Sequence, residues 1–118
     1  MDNSYPKQFR LLSGKDFGHL RAQAAFASSG LFLFFHKPSR NNLGHTRIGI
    51  SVSAKTCSAV ERNWIKRKIR EVFRKSVYKQ LNKDVVIVLN RKKFKSIKQT
   101  KLALEQDLLS GFKKIVNS

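Results

Sequence analysis

The sequence predicts a mixed α+β domain whose elements run in the order helix, three strands, helix, strand, helix. Three stretches carry that prediction. Ser58 to Lys75 sets Ile65, Ile69, Val72 and Phe73 on one stripe of a helix, with no Gly or Pro to interrupt it. Asp84 to Leu89 reads DVVIVL, a β-branched run typical of a strand buried on both faces and central or parallel in its sheet. From Ser96 onward Ile97, Leu104, Leu108, Leu109, Phe112 and Ile115 recur at helical intervals, although Gly111 weakens the pattern.

The earlier elements follow from local signals. Ser13-Gly14-Lys15-Asp16 has the form of an N-cap with an acid three residues on, and Phe17, Leu20 and Ala24 continue at helical spacing, so a short helix is expected over 14 to 23. Gln23 to Ala27 begins a short strand, broken by Ser28-Ser29-Gly30. Leu31 to Phe35 is too short for a lone buried helix and is flanked by Gly30 and Pro38, which favours a strand. Alternation puts Leu31, Leu33 and Phe35 on one face of it and Phe32 and Phe34 on the other, so both faces are apolar.

Residues 38 to 45 read as a loop. Thr46 to Ser53 then alternates, with Ile48, Ile50 and Val52 toward the core and Arg47, Gly49, Ser51 and Ser53 away from it. The small outward residues suit either a strand of RNA lying across the sheet or a close-packed helix, and the pattern alone leaves both open. Strand, long helix and strand make a βαβ unit, and no repeat or second domain interrupts the 118 residues. Residues 1–9 and 117–118 are expected to be flexible.

Charge narrows the function classes. Lysine and arginine number 25 against 7 acids, for a net charge of +18 and a pI near 10.8. Such a charge opposes compaction unless a polyanion screens it, and nucleic acid is the leading partner because neutralising phosphates releases counterions. An anionic membrane is the weaker match, since the basic helix lacks the Trp, Phe and Leu-rich face of interfacial anchors. There is no signal-like apolar segment at the start and no run of eighteen apolar residues, so neither secretion nor membrane insertion is expected. Cys57 is the only cysteine, which excludes an internal disulfide and fits a reducing compartment such as a cytoplasm. Paired carboxylates, Cys/His or Ser/His/Asp sets and Gly-rich phosphate loops are missing, and seven scattered acids do not suit a two-metal site.

The long helix is the candidate binding element. From Arg62 onward it carries seven bases and only Glu71 against them, whereas a merely solvated helix mixes signs at i,i+4. Asn63, Lys66, Arg67, Arg70 and Arg74 share the face beside the apolar stripe.

The residues Ile48-Gly49-Ile50-Ser51-Val52-Ser53, Lys55, Ala59-Val60, Arg62-Asn63, Ile65-Lys66-Arg67, Ile69-Arg70-Glu71 and Phe73-Arg74 resemble the bacterial ribonuclease P protein subunit. Arg10-Leu11, Lys15-Asp16-Phe17, Leu31-Phe32-Leu33-Phe34 and Asp84 to Val88 resemble further blocks of that family in the same order. The resemblance implies an α/β sandwich, order αβββαβα, with a four-stranded sheet and a left-handed βαβ crossover, against the usual right-handed rule. It implies a subunit that binds the catalytic ribonuclease P RNA and precursor tRNA and assists removal of the 5′ leader. Mg2+ would be held mainly by the RNA, with none bound tightly by the protein. One protein per catalytic RNA, and a monomer when isolated, are the expected stoichiometries.

Carried over position by position, the resemblance makes Arg62, Asn63, Lys66, Arg67, Arg70 and Arg74 the surface that meets the catalytic RNA. Phe17, Phe34, Ser51 and Lys55 resemble the cleft that takes the single-stranded leader, by ring stacking beside a cationic groove. Core packing is the competing role for Phe17 and Phe34, and a solvated surface role for Lys55. Asn63 has poor propensity inside a helix, which a hydrogen bond to RNA or to a local carbonyl would explain.

Four departures from the family pattern stand out. Cys57-Ser58 replaces Gly-Asn, Ala54 replaces a Lys, Trp64 replaces the second Arg of Arg-Asn-Arg, and Leu20 and Arg21 stand where a further aromatic is usual. Trp64 loses the bidentate phosphate contact of an Arg, and its indole can either stack on an exposed base or pack beside Val60. Two other classes fit the charge: a ribosomal-type or RNA-chaperone protein with a structural role, and a DNA-binding regulator. The ordered match from Arg10 to Val88 argues against the first, and the lack of any dimer signal against the second.

Overall fold

The computed structural model describes residues 24–38 and 44–117. Ala25–Ser29 (β1), Phe32–Pro38 (β2), Arg47–Ser51 (β3) and Lys83–Leu89 (β4) form one sheet, and Ala59–Lys75 (α1) and Ile97–Val116 (α2) are the helices. The helix expected over 14 to 23 lies outside the described residues. Strand order is β1-β2-β4-β3, with β1, β2 and β4 antiparallel and β3 parallel to β4. β4 is therefore interior, as its unbroken apolar run requires.

Register sorts the side chains into two faces. Phe34 and Ile50 each pair with Ile87, and His36 and Ile48 each with Val85; this row structure points toward the helices. Phe32, Phe34, Val85 and Ile87 are fully buried there beneath Ile65, Ile69 and Phe73 of α1 and Leu104, Leu108, Phe112 and Ile115 of α2. Phe112 is the hub: its ring lies 5.6 Å from Phe34, 5.7 Å from Phe73 and 5.4 Å, stacked, from Tyr78. Gly111 lets α2 approach β2, because a Cβ there would overlap the Phe34 ring. The glycine that weakens the helical pattern is thus the contact point between helix and sheet.

Several boundaries differ from the sequence reading, each for a local reason. β1 continues through Ser28 and Ser29 because a two-residue turn follows, with Gly30 at φ +50 in the left-handed region where such hairpins favour glycine. Its partner Leu31 donates its N–H to Asp107 Oδ2 at 3.0 Å, tying the turn to α2. β2 runs on to Pro38 because β4 pairs with it along its whole length. β3 starts one residue late because Thr46 is turned to the 3-10 segment Val77–Gln80: its N–H donates to Lys79 O at 2.8 Å and its hydroxyl to Tyr78 O at 2.6 Å. Asn117 caps the end of α2, its N–H donating to Ile115 O and Lys113 O.

Arg47 does point away from the helices, yet it is buried. Its Nε and Nη2 donate to the two carboxylate oxygens of fully buried Asp84 at 3.0 and 2.9 Å, across the parallel register Arg47 to Asp84. The two charges satisfy each other in a fork geometry, which is how an outward arginine comes to be excluded from water.

Because α1 joins the end of β3 to the start of β4 and α2 leaves the end of β4, both helices run antiparallel to the parallel pair. Their N-termini therefore share one end of the molecule.

Candidate nucleic-acid interface

Helix α1 begins at a capping box: Ser58 Oγ accepts from Glu61 N at 3.2 Å while Glu61 Oε1 accepts from Ser58 N at 2.9 Å. Ser58 thereby fixes where the helix starts. The signal was present as Ser-x-x-Glu at 58–61. Four buried residues, Ile65, Ile69, Val72 and Phe73, then hold the helix in one rotation. That rotation leaves Asn63 and Arg67 exposed and Lys66, Arg70 and Arg74 half-buried, so the five predicted residues do lie together on an outward face.

Arg62 sits apart from them. Its Nη1 donates to Cys57 O at 3.1 Å, so part of its role is to close the first turn. Cys57 itself is buried, and burial pushes its thiol up, with Glu61 adding to the effect and Arg62 opposing it. Lys68 donates to Glu71 at 3.0 Å, and that bond, with the lysine's charge, holds the Glu71 carboxyl below its ordinary range.

Trp64 is half-buried against the core, and Lys101 of α2 lies over its ring, 5.1 Å from the centroid. A groove of about 230 Å3 opens beside it, lined by Trp64, Arg67, Lys68 and Glu71. Lys101 was not anticipated as part of this region; nothing in the local sequence pairs it with Trp64, because the contact depends on how two helices cross.

The second group of predicted residues divides. Phe17 lies outside the described residues. Ser51 and Lys55 are exposed, Ser51 opposite Val88 on the sheet face away from the helices and Lys55 in the turn after β3, where its N–H donates to Ser53 Oγ at 3.1 Å. Phe34 is a correction: it is 0% exposed and enclosed by Phe32, Phe112 and Gly111, on the opposite face from Ser51. An off-by-one choice within a strand moves a side chain to the other face. Among the described residues Phe35 and Phe26 place their rings on the Ser51 face, paired at 5.4 Å, with Phe26 57% exposed. In register they form a row Phe26, Phe35, Val86 and Gly49 across the sheet, next to the row Ser28, Leu33, Val88 and Ser51.

The arrangement thus has two chemically distinct surfaces, a cationic helix face and an apolar, aromatic sheet face. A model of the ribonuclease P family matches residues 5–116. The chain belongs to the ribonuclease P protein family. It is 36% identical over 89 residues to the ribonuclease P protein component of Photorhabdus laumondii, covering 75% of this chain and 73% of that one. With the ribonuclease P protein component of Blochmanniella pennsylvanica it shares 36% identity over 106 residues, covering 88% and 90%. A Staphylococcus aureus RNase P protein mutant superposes with a TM-score of 0.69 at 32% identity, covering 86% of each chain. In this ribonuclease P family protein the outward face of α1 is basic, and Trp64 lies on the side turned toward α2.

Among the described residues no group of three or more His, Cys, Asp or Glu could hold a metal ion, and no helix is long and apolar enough to cross a membrane.

Proposed function

We propose that this chain is the protein subunit of a ribonuclease P ribonucleoprotein, acting in the bacterial cytoplasm on precursor tRNA. The observation that carries the reading is the outward face of α1, with Asn63, Lys66, Arg67, Arg70 and Arg74 held away from a buried stripe in a chain that matches the family over 5–116. These groups neutralise phosphates of the catalytic RNA and release its counterions, a term that falls steeply with salt. One protein binds one RNA, and the isolated chain is a monomer.

The sheet face takes the 5′ leader. Phe35 and Phe26 offer rings for stacking, Ser51 a hydroxyl, and Lys55 a charge at the rim, a combination that tolerates any base sequence. Phe35 fills the role first given to Phe34. The reactive phosphate and its Mg2+ belong to the RNA; this chain supplies cations that lower the electrostatic cost of bringing leader and catalytic RNA together.

The test is cleavage of a labelled precursor tRNA at low magnesium by a bacterial ribonuclease P RNA, with and without the protein. Restored cleavage at the mature 5′ end is expected. RNA binding with cleavage unchanged, using the RNA of the same organism, would overturn the subunit reading in favour of a structural RNA-binding protein.

A further inference from the structure

The segment Arg91 to Lys101 is the most one-sided stretch of the molecule outside α1. It holds Arg91, Lys92, Lys93, Lys95, Lys98 and Lys101, with no acid, and all six side chains are exposed. Among the described residues none of these side chains has an ion pair, and Lys101 is engaged over the Trp64 ring. The first turn of α2 also has no acidic residue, although helix N-termini are stabilised by negative charge and destabilised by lysines such as Lys98. By contrast, α1 answers its own N-terminus with Glu61 and one of its lysines with Glu71. The unanswered charge costs the isolated fold stability, and a polyanion would remove that cost.

Position makes the partner specific. The two helix N-termini share one end of the molecule, and Lys101 over Trp64 makes the α1 surface continuous with this segment. Beyond it, a groove of about 230 Å3 runs between Lys93, Lys95 and Gln99 and the β1–β2 turn. Asp107 is the acid on that groove, and its Oδ2 is already taken by Leu31 N.

We propose that the RNA-binding surface extends past α1, over the Trp64–Lys101 contact, onto a second cationic strip made by the β4–α2 loop and the first turns of α2. The strip binds phosphates of the same RNA that α1 meets, as a backbone contact without base readout. It rests on the reading of the chain as an RNA-binding subunit. Trp64 is the junction between the two surfaces: it carries no charge of its own within the basic helix, and Lys101 of α2 lies over its ring.

The experiment titrates the full chain with a bacterial ribonuclease P RNA at several salt concentrations. It compares wild type, Lys93→Gln/Lys95→Gln/Lys98→Gln and Lys66→Gln/Arg67→Gln, with a thermal melt of each protein. The strip predicts that the triple variant melts no lower than wild type. It should bind roughly tenfold or more weakly, with its salt slope reduced by about 2 to 3, about one per lysine. An unchanged affinity and slope for the triple variant, beside a weakened α1 variant, would overturn the strip and leave the α1 reading standing. Wild-type protein that binds no RNA would overturn both, so the two failures are distinguishable.

Discussion

The ring of Phe34 occupies the space that a Cβ of Gly111 would need. Phe34 cannot retreat, since Phe32 and Phe112 close around it. Gly111→Ala should therefore destabilise the protein, by about 1–3 kcal/mol of overpacking against a helix-propensity gain of about 1. Urea denaturation measures it, and Gly111→Ala should cost less in a Phe34→Leu background than in wild type; equal costs would mean the ring is not the obstacle.

Phe34 and Phe35 should separate cleanly on mutation. Phe34→Ala removes a fully buried ring and should cost about 3–5 kcal/mol of stability. Phe35→Ala should leave the melting temperature much closer to wild type and weaken precursor over mature tRNA by about 1–3 kcal/mol. Paired binding titrations of the two RNAs decide it.

The Arg47–Asp84 pair predicts an asymmetric mutational pattern. Asp84→Ala removes both carboxylate acceptors from the Nε and Nη2 of a buried guanidinium and should cost about 3–5 kcal/mol, whereas Arg47→Met/Asp84→Leu should recover most of that loss. Chemical denaturation of the three proteins checks it.

Stability should also depend on pH through His36. Burial, and secondarily the charge of Lys83, lowers its pKa from 6.5, and among the described residues its buried Nδ1 has no hydrogen-bond partner. The unfolded chain therefore takes up a proton before the folded one does. The contribution of His36 is complete above pH 6.5 and is lost progressively as pH falls from there through the lowered folded value. Melts at about pH 7.5 and about pH 5 should differ less in a His36→Leu variant.

Trp64 is the sole tryptophan, so its emission reports on the junction of the two helices without labelling. Addition of ribonuclease P RNA should change that emission. Trp64→Arg, which adds a phosphate-binding charge to the basic helix, should steepen the salt dependence of binding by about one unit of slope.

Much of this could be read from the chain. The α1 helix was legible because one periodicity ran unbroken from Ile65 to Phe73, and β4 because a run such as DVVIVL has few other uses. What sequence could not supply was anything that depends on two elements meeting. Phe34 and Phe35 are adjacent aromatics in a strand apolar on both faces, so composition gives no sign of which faces the helices. Arg47 looked solvated until the register put Asp84 beside it. Lys101 over Trp64 depends on the packing of α1 against α2.

The interior position of β4 has a consequence for how the chain is made. β2 and β3 both need β4 as a neighbour, and β4 is completed only at Leu89. During synthesis the β1–β2 hairpin and its Phe-rich strand emerge long before the strand that covers them. A ribosome-bound fragment ending before Lys83 holds an apolar strand with an open edge, the kind of surface that invites association with other chains. Closing the sheet needs a pairing between residues about fifty positions apart, the kind of long-range contact that slows folding.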